Sequence, residues 1–176
     1  ISVRYPDLFK QDYFTKFQPG ILNLHGGLLP TFRGVNIANH SILEGAHKNG
    51  GTIHFIANGI DTGDIVSRDE FEMDDFDTAK SVFDKTLDAL KRAFIAFLDA
   101  TEQDSEIKRI PQQRFIDAGE EAKTYRLKDL NTYREIDVSD FTSEMAGRKL
   151  RAFTFPGQEP AYIRAGSKKY WLSESF

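Results

Sequence analysis

The chain of 176 residues is 40% hydrophobic and 28% charged, with 15 phenylalanines, enough to build one compact domain around a sizeable core. It has no cysteine, which excludes disulfides, thiolate nucleophiles and cysteine-ligated zinc and fits a reducing compartment. Its net charge of −4 argues against nucleic acid as the main partner, and no apolar run approaches the roughly 20 residues that span a bilayer.

In chain order, Ile1–Tyr5 reads as a strand that begins without a methionine, as though inside a longer protein, and not as a secretion leader. Asp7–Phe17 is expected to form a short helix, and Pro19-Gly20 a turn. Ile21–His25 reads as a buried strand ended by Gly26-Gly27, and Leu28–Gly34 as a loop. A modest helix follows over Asn36–Gly45, then a strand over Gly51–Ala57 closed by Asn58-Gly59. Ile65–Met73 is extended.

The clearest helix runs over Asp77–Asp99, capped by Asp77 or Thr78. Ala79, Val82, Phe83, Leu87, Leu90, Phe94, Phe97 and Leu98 recur along it at three- and four-residue steps, which marks a core face. Thr101–Glu121 is polar and reads as a linker with room for one short strand. Beyond it a strand is expected over Thr124–Leu127 and a helix over Phe141–Ala152. A hairpin of Ala161–Arg164 and Lys169–Leu172 follows, turning at Ala165-Gly166-Ser167. Alternating strands and helices in the first 100 residues predict an α/β layer structure, and the tail a smaller α+β unit.

Among four histidines, His47 lies in a polar surface stretch and His40 on the short helix. His54 alternates with Ile53 and Phe55 and reads as a structural histidine facing away from them. There is no HxxxH spacing, so no metal site is expected. His25 ends an apolar strand before two glycines, the place where open α/β sheets bind ligands. Asn23, two residues earlier, shares its side of the strand. Asn58–Asp64 is a second loop after a strand, and Gly59 and Gly63 leave Asp61 room to reach into a site. Each piece alone also has a structural explanation, an Asx turn in the case of the acids.

Taken in order, the pieces are more specific. Asn23-Leu24-His25, Leu28-Leu29-Pro30-Thr31-Phe32-Arg33-Gly34, Gly51-Thr52-Ile53-His54 and Asp61-Thr62-Gly63-Asp64 together resemble the folate-dependent formyltransferases, strongly over residues 20–66 and on to about 100. The resemblance implies a Rossmann-like formyltransferase core over 1–100 that lacks its N-terminal portion, a linker over 101–121 and a small α+β subdomain over 122–176. It implies catalytic roles for Asn23, His25 and Asp61, with 10-formyltetrahydrofolate as the formyl donor. The pterin is expected against Ile56, Ala57, Asn58, Gly59 and Ile60 and against a strand edge at Val3 and Tyr5. Arg33 and Asn36 are expected at the substrate, although Arg33 could instead brace its loop.

Gly26-Gly27 and the tail segments Tyr125–Asn131, Arg148–Pro156 and Lys168-Lys169-Tyr170 are most similar to the nucleotide-sugar N-formyltransferases. Such enzymes serve carbohydrate biosynthesis, including lipopolysaccharide O-antigen. The implied partner is a nucleotide-linked amino sugar, dTDP-linked or otherwise, in a cytoplasmic protein without membrane or nucleic-acid partner and with a homodimer as its assembly. The alternatives are a methionyl-tRNA or glycinamide ribonucleotide formyltransferase, a formyltetrahydrofolate hydrolase, and an inactive folate- or nucleotide-binding fragment.

Overall fold

The computed structural model describes residues 1–3, 16–17, 19–103 and 106–172. Tyr5 and most of the helix expected over 7–17 lie outside them.

A four-stranded mixed sheet carries the first half of the molecule. β1 (Ser2–Val3) runs parallel to β2 (Leu22–His25), and β4 (Lys48–Phe55) runs antiparallel to both β2 and β5 (Ile65–Glu72). Alternation along β2 and β4 divides the faces. Leu22 pairs with Phe55 and Leu24 with Ile53, and these apolar residues pack with Ala93 and Phe97 of the long helix. The residues between them, Asn23, His25, Thr52 and His54, are left for the other face. The period of two therefore sets both the core and the site.

The long helix, α2 (Ala79–Gln103), starts with a reciprocal cap: Thr78 Oγ1 accepts from Ser81 N at 3.2 Å, and Ser81 Oγ accepts from Thr78 N at 2.9 Å. Its buried stripe is Ala79, Val82, Thr86, Ala89, Ala93 and Phe97, smaller than the stripe expected from sequence. Leu87 and Leu98, expected in the core, are 45% and 43% exposed. The cause is a close approach of helix to sheet. A Cβ on Gly51 of β4 would stand 2.6 Å from Cγ and 2.7 Å from the backbone nitrogen of Leu90, so the helix lies against the sheet at Leu90 with alanines on either side, and Leu87 and Leu98 are turned out.

α1 (Ile37–Leu43) lies between the sheet and the tail. Ile42, Leu43, Ala79 and Val82 share one core cluster with Leu130, Ile136, Ala146, Ala152, Phe153 and Ala161, so the tail packs on α1 and the start of α2. In the tail, α5 (Glu144–Ala152) is capped by Ser143, whose hydroxyl accepts from Ala146 N at 3.1 Å. β7 (Glu135–Ile136), β8 (Tyr162–Ala165) and β9 (Lys168–Trp171) form a small sheet that includes the expected hairpin. The strand expected over 124–127 stops earlier. β6 is Thr124–Tyr125, and Asp129 Oδ2 accepts from Arg126 N at 3.1 Å to start the turn α4 (Leu127–Leu130).

The polar stretch expected to be a linker is ordered against the core where it is described. Ile110 exchanges two 2.8 Å backbone hydrogen bonds with Ile65. α3 (Gln113–Asp117) follows, and β6 pairs in parallel with β3 (Arg33–Gly34). Arg68 stacks on Phe115 and binds both carboxylate oxygens of Glu120 at 2.7 and 2.9 Å. The Ile110 bridge falls where one short strand was expected, and Arg68 and Glu120 are paired against the core side of the stretch. Among the described residues no helix is long and apolar enough to cross a membrane.

Candidate active site

Four polar side chains meet over one face of β2 and β4, three from the strands and one from the loop after β4. The β2–β4 register sets Asn23 opposite His54. Asn23 Nδ2 lies 3.3 Å from His54 Nε2. His54 Nδ1 is 2.8 Å from Phe55 O. A carbonyl only accepts, so His54 donates from Nδ1 to Phe55 O, and its Nε2 is shared between Asn23 Nδ2 and, at 3.4 Å, Asp61 Oδ1.

Asp61 enters from the loop between β4 and β5. Its φ is 52°, a left-handed conformation that aspartate adopts more readily than most residues with a side chain. Gly34 N–H donates to Oδ2 at 2.8 Å. His25 Nδ1 lies 3.4 Å from the same oxygen, and His54 Nε2 lies 3.4 Å from Oδ1. Burial raises the Asp61 pKa, but His54, His25 and the Gly34 N–H together outweigh it and hold the carboxyl at about 2. Asp61 is ionised at any neutral pH.

His25 is buried, with Nε2 2.6 Å from Phe32 O. This proton also has to sit on the nitrogen facing the carbonyl. Burial lowers the pKa of His25; Asp61 and the Phe32 carbonyl oppose that without cancelling it, and His54 adds to the lowering. The ring is therefore neutral near pH 7, with its lone pair on Nδ1 toward Asp61. Gly27 makes room for this arrangement. A Cβ there would stand 2.7 Å from both His25 Nε2 and Phe32 O.

Arg33 points its Nε and Nη2 at Gln112 Oε1, at 3.0 and 2.6 Å, so two of its three nitrogens brace the loop. Gln112 Nε2 in turn donates to Asp61 O at 2.7 Å and Gly63 O at 2.9 Å. Asn36, at φ 55°, precedes α1 and makes no side-chain cap bond. On the other side of Asp61, Ile56 N–H donates to Ile21 O at 2.8 Å, Asn58 and Gly59 are exposed, and Ala57 and Ile60 are half-buried. Val3 sits on β1 next to β2 and is 58% exposed.

The structure thus brings Asn23, His25 and Asp61 together. It adds two residues that sequence reasoning placed elsewhere. Sequence alternation reads His54 as a structural histidine, since it tells which face the residue takes and not that Asn23 is its cross-strand neighbour. Gln112 lay in an apparent linker with no motif to single it out.

The fold is that of an α/β protein, with an amide and a neutral imidazole on one face of its mixed sheet and an ionised carboxylate on the adjoining loop. Such a set can stabilise a developing oxyanion, take up a proton and hold the cation that results. The sequence matches the model of the formyl transferase family over residues 1–98, and the chain belongs to that family. It is 30% identical over 153 residues to the methionyl-tRNA formyltransferase of Neisseria gonorrhoeae strain NCCP11945, covering 87% of this chain and 47% of that relative. The chain spans about half the length of that relative. The structure resembles a 4-N formyltransferase from Francisella tularensis with a TM-score of 0.82 and 24% identity, over 98% of this chain and 68% of that one. It also resembles WlaRD, a sugar 3N-formyl transferase solved in the presence of dTDP and 5-N-formyl-THF. There the TM-score is 0.68 and the identity 26%, over 87% of this chain and 53% of that one.

Proposed function

We propose that the protein transfers a formyl group from 10-formyltetrahydrofolate to the amino group of a nucleotide-linked amino-deoxy sugar. The observation that carries this reading is the placement of His25 Nδ1 beside Asp61 Oδ2 at 3.4 Å, with the Asn23 amide on the same strand face. The loop over 56–60 fits a pterin: it offers exposed backbone at Asn58 and Gly59 next to Asp61. Val3 on β1 is proposed to complete that contact; Tyr5, expected beside it, lies outside the described residues. When bound, the donor supplies an activated formyl carbon.

The chain's own groups then divide the work. Asn23 Nδ2 has two protons and only one neighbour, His54 Nε2 at 3.3 Å, which leaves a proton for the formyl oxygen as it gains negative charge. The N–H of His25 is engaged by Phe32 O, so the oxyanion role falls to Asn23 and His25 acts through Nδ1. That nitrogen takes the proton lost by the attacking amine, Asp61 stabilises the resulting imidazolium, and His25 then gives the proton to the departing folate nitrogen as its bond to the formyl carbon breaks. Arg33 and Asn36 stand at the substrate side. Arg33 has one nitrogen not engaged by Gln112, the one proposed to meet a substrate phosphate.

The nucleotide-sugar substrate is supported by the likeness to WlaRD, solved with dTDP, and by the tail motifs. A cytoplasmic enzyme working as a homodimer completes the reading. A second reading, formylation of methionyl-tRNA, is favoured by the sequence match to the Neisseria relative. Tetrahydrofolate release by the full-length protein separates them. It is expected with a panel of nucleotide-linked amino sugars and not with methionyl-tRNA; the reverse pattern establishes the second reading. Release without any amine identifies a hydrolase, and no release at all identifies a folate- or nucleotide-binding fragment.

A further inference from the structure

Asp61 has to do two things at once: hold a left-handed backbone and present one carboxylate oxygen to each of two histidines. The loop that carries it is not self-sufficient. Its carboxylate is fixed from outside by Gly34 N–H, and its backbone by Gln112, whose Nε2 donates to the carbonyls of Asp61 and Gly63 at 2.7 and 2.9 Å. Gln112 is 5% exposed. Both of its amide protons and both lone pairs of its oxygen are matched, the latter by Nε and Nη2 of Arg33. A buried amide matched at every position has one orientation only.

Gln112 also connects the two walls of the site. Arg33 lies on β3, beside the Gly34 that donates to Asp61 Oδ2, and Arg33 N–H donates to Lys123 O at 3.0 Å. The segment over 110–125 thus grips the Asp61 loop through Gln112 and the 33–35 loop through Lys123 and Tyr125, whose O accepts from Val35 N at 3.2 Å. We infer that Gln112 is a positioning residue for Asp61, joining the Asp61 loop to Arg33 so that the carboxylate meets His25 at the distance the reaction needs. It touches no reacting atom. The inference rests on the formyl-transfer reading for its kinetic consequence and not for its geometric one.

Two variants of the full-length protein separate positioning from mere packing. Gln112→Glu keeps an acceptor for Arg33 but has no protons for Asp61 O and Gly63 O. Gln112→Met keeps the volume and adds no charge, but loses both sides. With formyl donor and accepted amine, both are expected to lower kcat by about 10- to 100-fold, the scale of a small misplacement of a catalytic group, with KM for the amine changed far less in Gln112→Glu, which keeps the acceptor for Arg33. NMR titration of His25 gives a readout independent of turnover: in Gln112→Met its pKa falls below the wild-type value, because the Asp61 carboxylate that raises it has moved. Wild-type kcat in Gln112→Glu, or an unmoved His25 titration in folded Gln112→Met, overturns the inference. If the wild type itself transfers no formyl group, the functional reading fails, while the His25 titration still decides the positioning role. If Gln112→Met does not fold, kcat of Gln112→Glu decides alone.

Discussion

Nδ1 of His25 lies 3.4 Å from Oδ2 of Asp61 while the opposite nitrogen of the same ring gives its proton to Phe32 O at 2.6 Å. The carbonyl fixes the tautomer, and the tautomer leaves the lone pair on the Asp61 side. A neutral His25 is thus primed to accept one proton and becomes an ion pair when it does.

Asn23→Ala is expected to lower kcat by about 10²–10³, the usual cost of removing one oxyanion donor. His25→Ala removes the base and is expected to cost at least as much. Steady-state kinetics on the full-length protein, with circular dichroism to show an unchanged fold, checks both.

Gly27→Ala puts a methyl group against the His25–Phe32 hydrogen bond, 2.7 Å from each end. The ring or the Phe32 carbonyl has to shift. A stability loss of about 1–3 kcal/mol is expected, as for other overpacked sites, together with a clear drop in kcat. Urea unfolding and kinetics measure the two effects separately. Gly26→Ala meets only Thr86 Cγ2 at 3.2 Å and is expected to be much milder.

His54→Ala removes the ring neighbour of the Asn23 amide and one neighbour of Asp61. The Asn23 side chain is then free to rotate, and the Asp61 carboxyl loses the first of the influences that hold it down. A fall of about tenfold or more in kcat is expected from such loosening. An alanine variant with unchanged kcat would make His54 the purely structural residue that alternation suggested.

Two pH dependences follow, with opposite proton logic in the folded state but the same sign. Asp61 is held at about 2 against an ordinary 3.8, so the unfolded chain takes up its proton first on acidification. The stability this gives, on the order of 2 kcal/mol, is present above about pH 4 and is lost as pH falls toward 2. The His25 pKa lies below its ordinary 6.5, so the unfolded chain again binds the proton first. Its contribution is present above about pH 6.5 and is lost as pH falls toward the folded value. Denaturant unfolding across pH 2–8 checks both, with His25→Gln and Asp61→Asn as controls. Turnover is expected to fall on the same acidic side as His25 becomes protonated.

Much of the site was legible because it is written on two short strands. Asn23 and His25 share a face by alternation, and Gly26-Gly27 mark the strand's end. The elements also followed: β4, β5, α2 and the tail hairpin all lie within a few residues of their expected places. What was not legible depends on contacts across distance. The role of His54 needs the β2–β4 register, which no local pattern encodes. Gln112 meets Asp61 across 51 positions of sequence, from a stretch whose polarity reads as a linker because composition cannot distinguish solvated polar groups from paired ones. The exposed Leu87 and Leu98 reflect how closely α2 approaches Gly51, a tertiary fact that a helical repeat does not contain.

The most direct test is amine-dependent tetrahydrofolate release by the full-length protein from 10-formyltetrahydrofolate, measured with a nucleotide-linked amino sugar for wild type and Asn23→Ala side by side. The account predicts stoichiometric release and N-formyl product from the wild type, cut by about 10²–10³ in the variant. Equal rates for the two proteins, or release that does not depend on the amine, would contradict it.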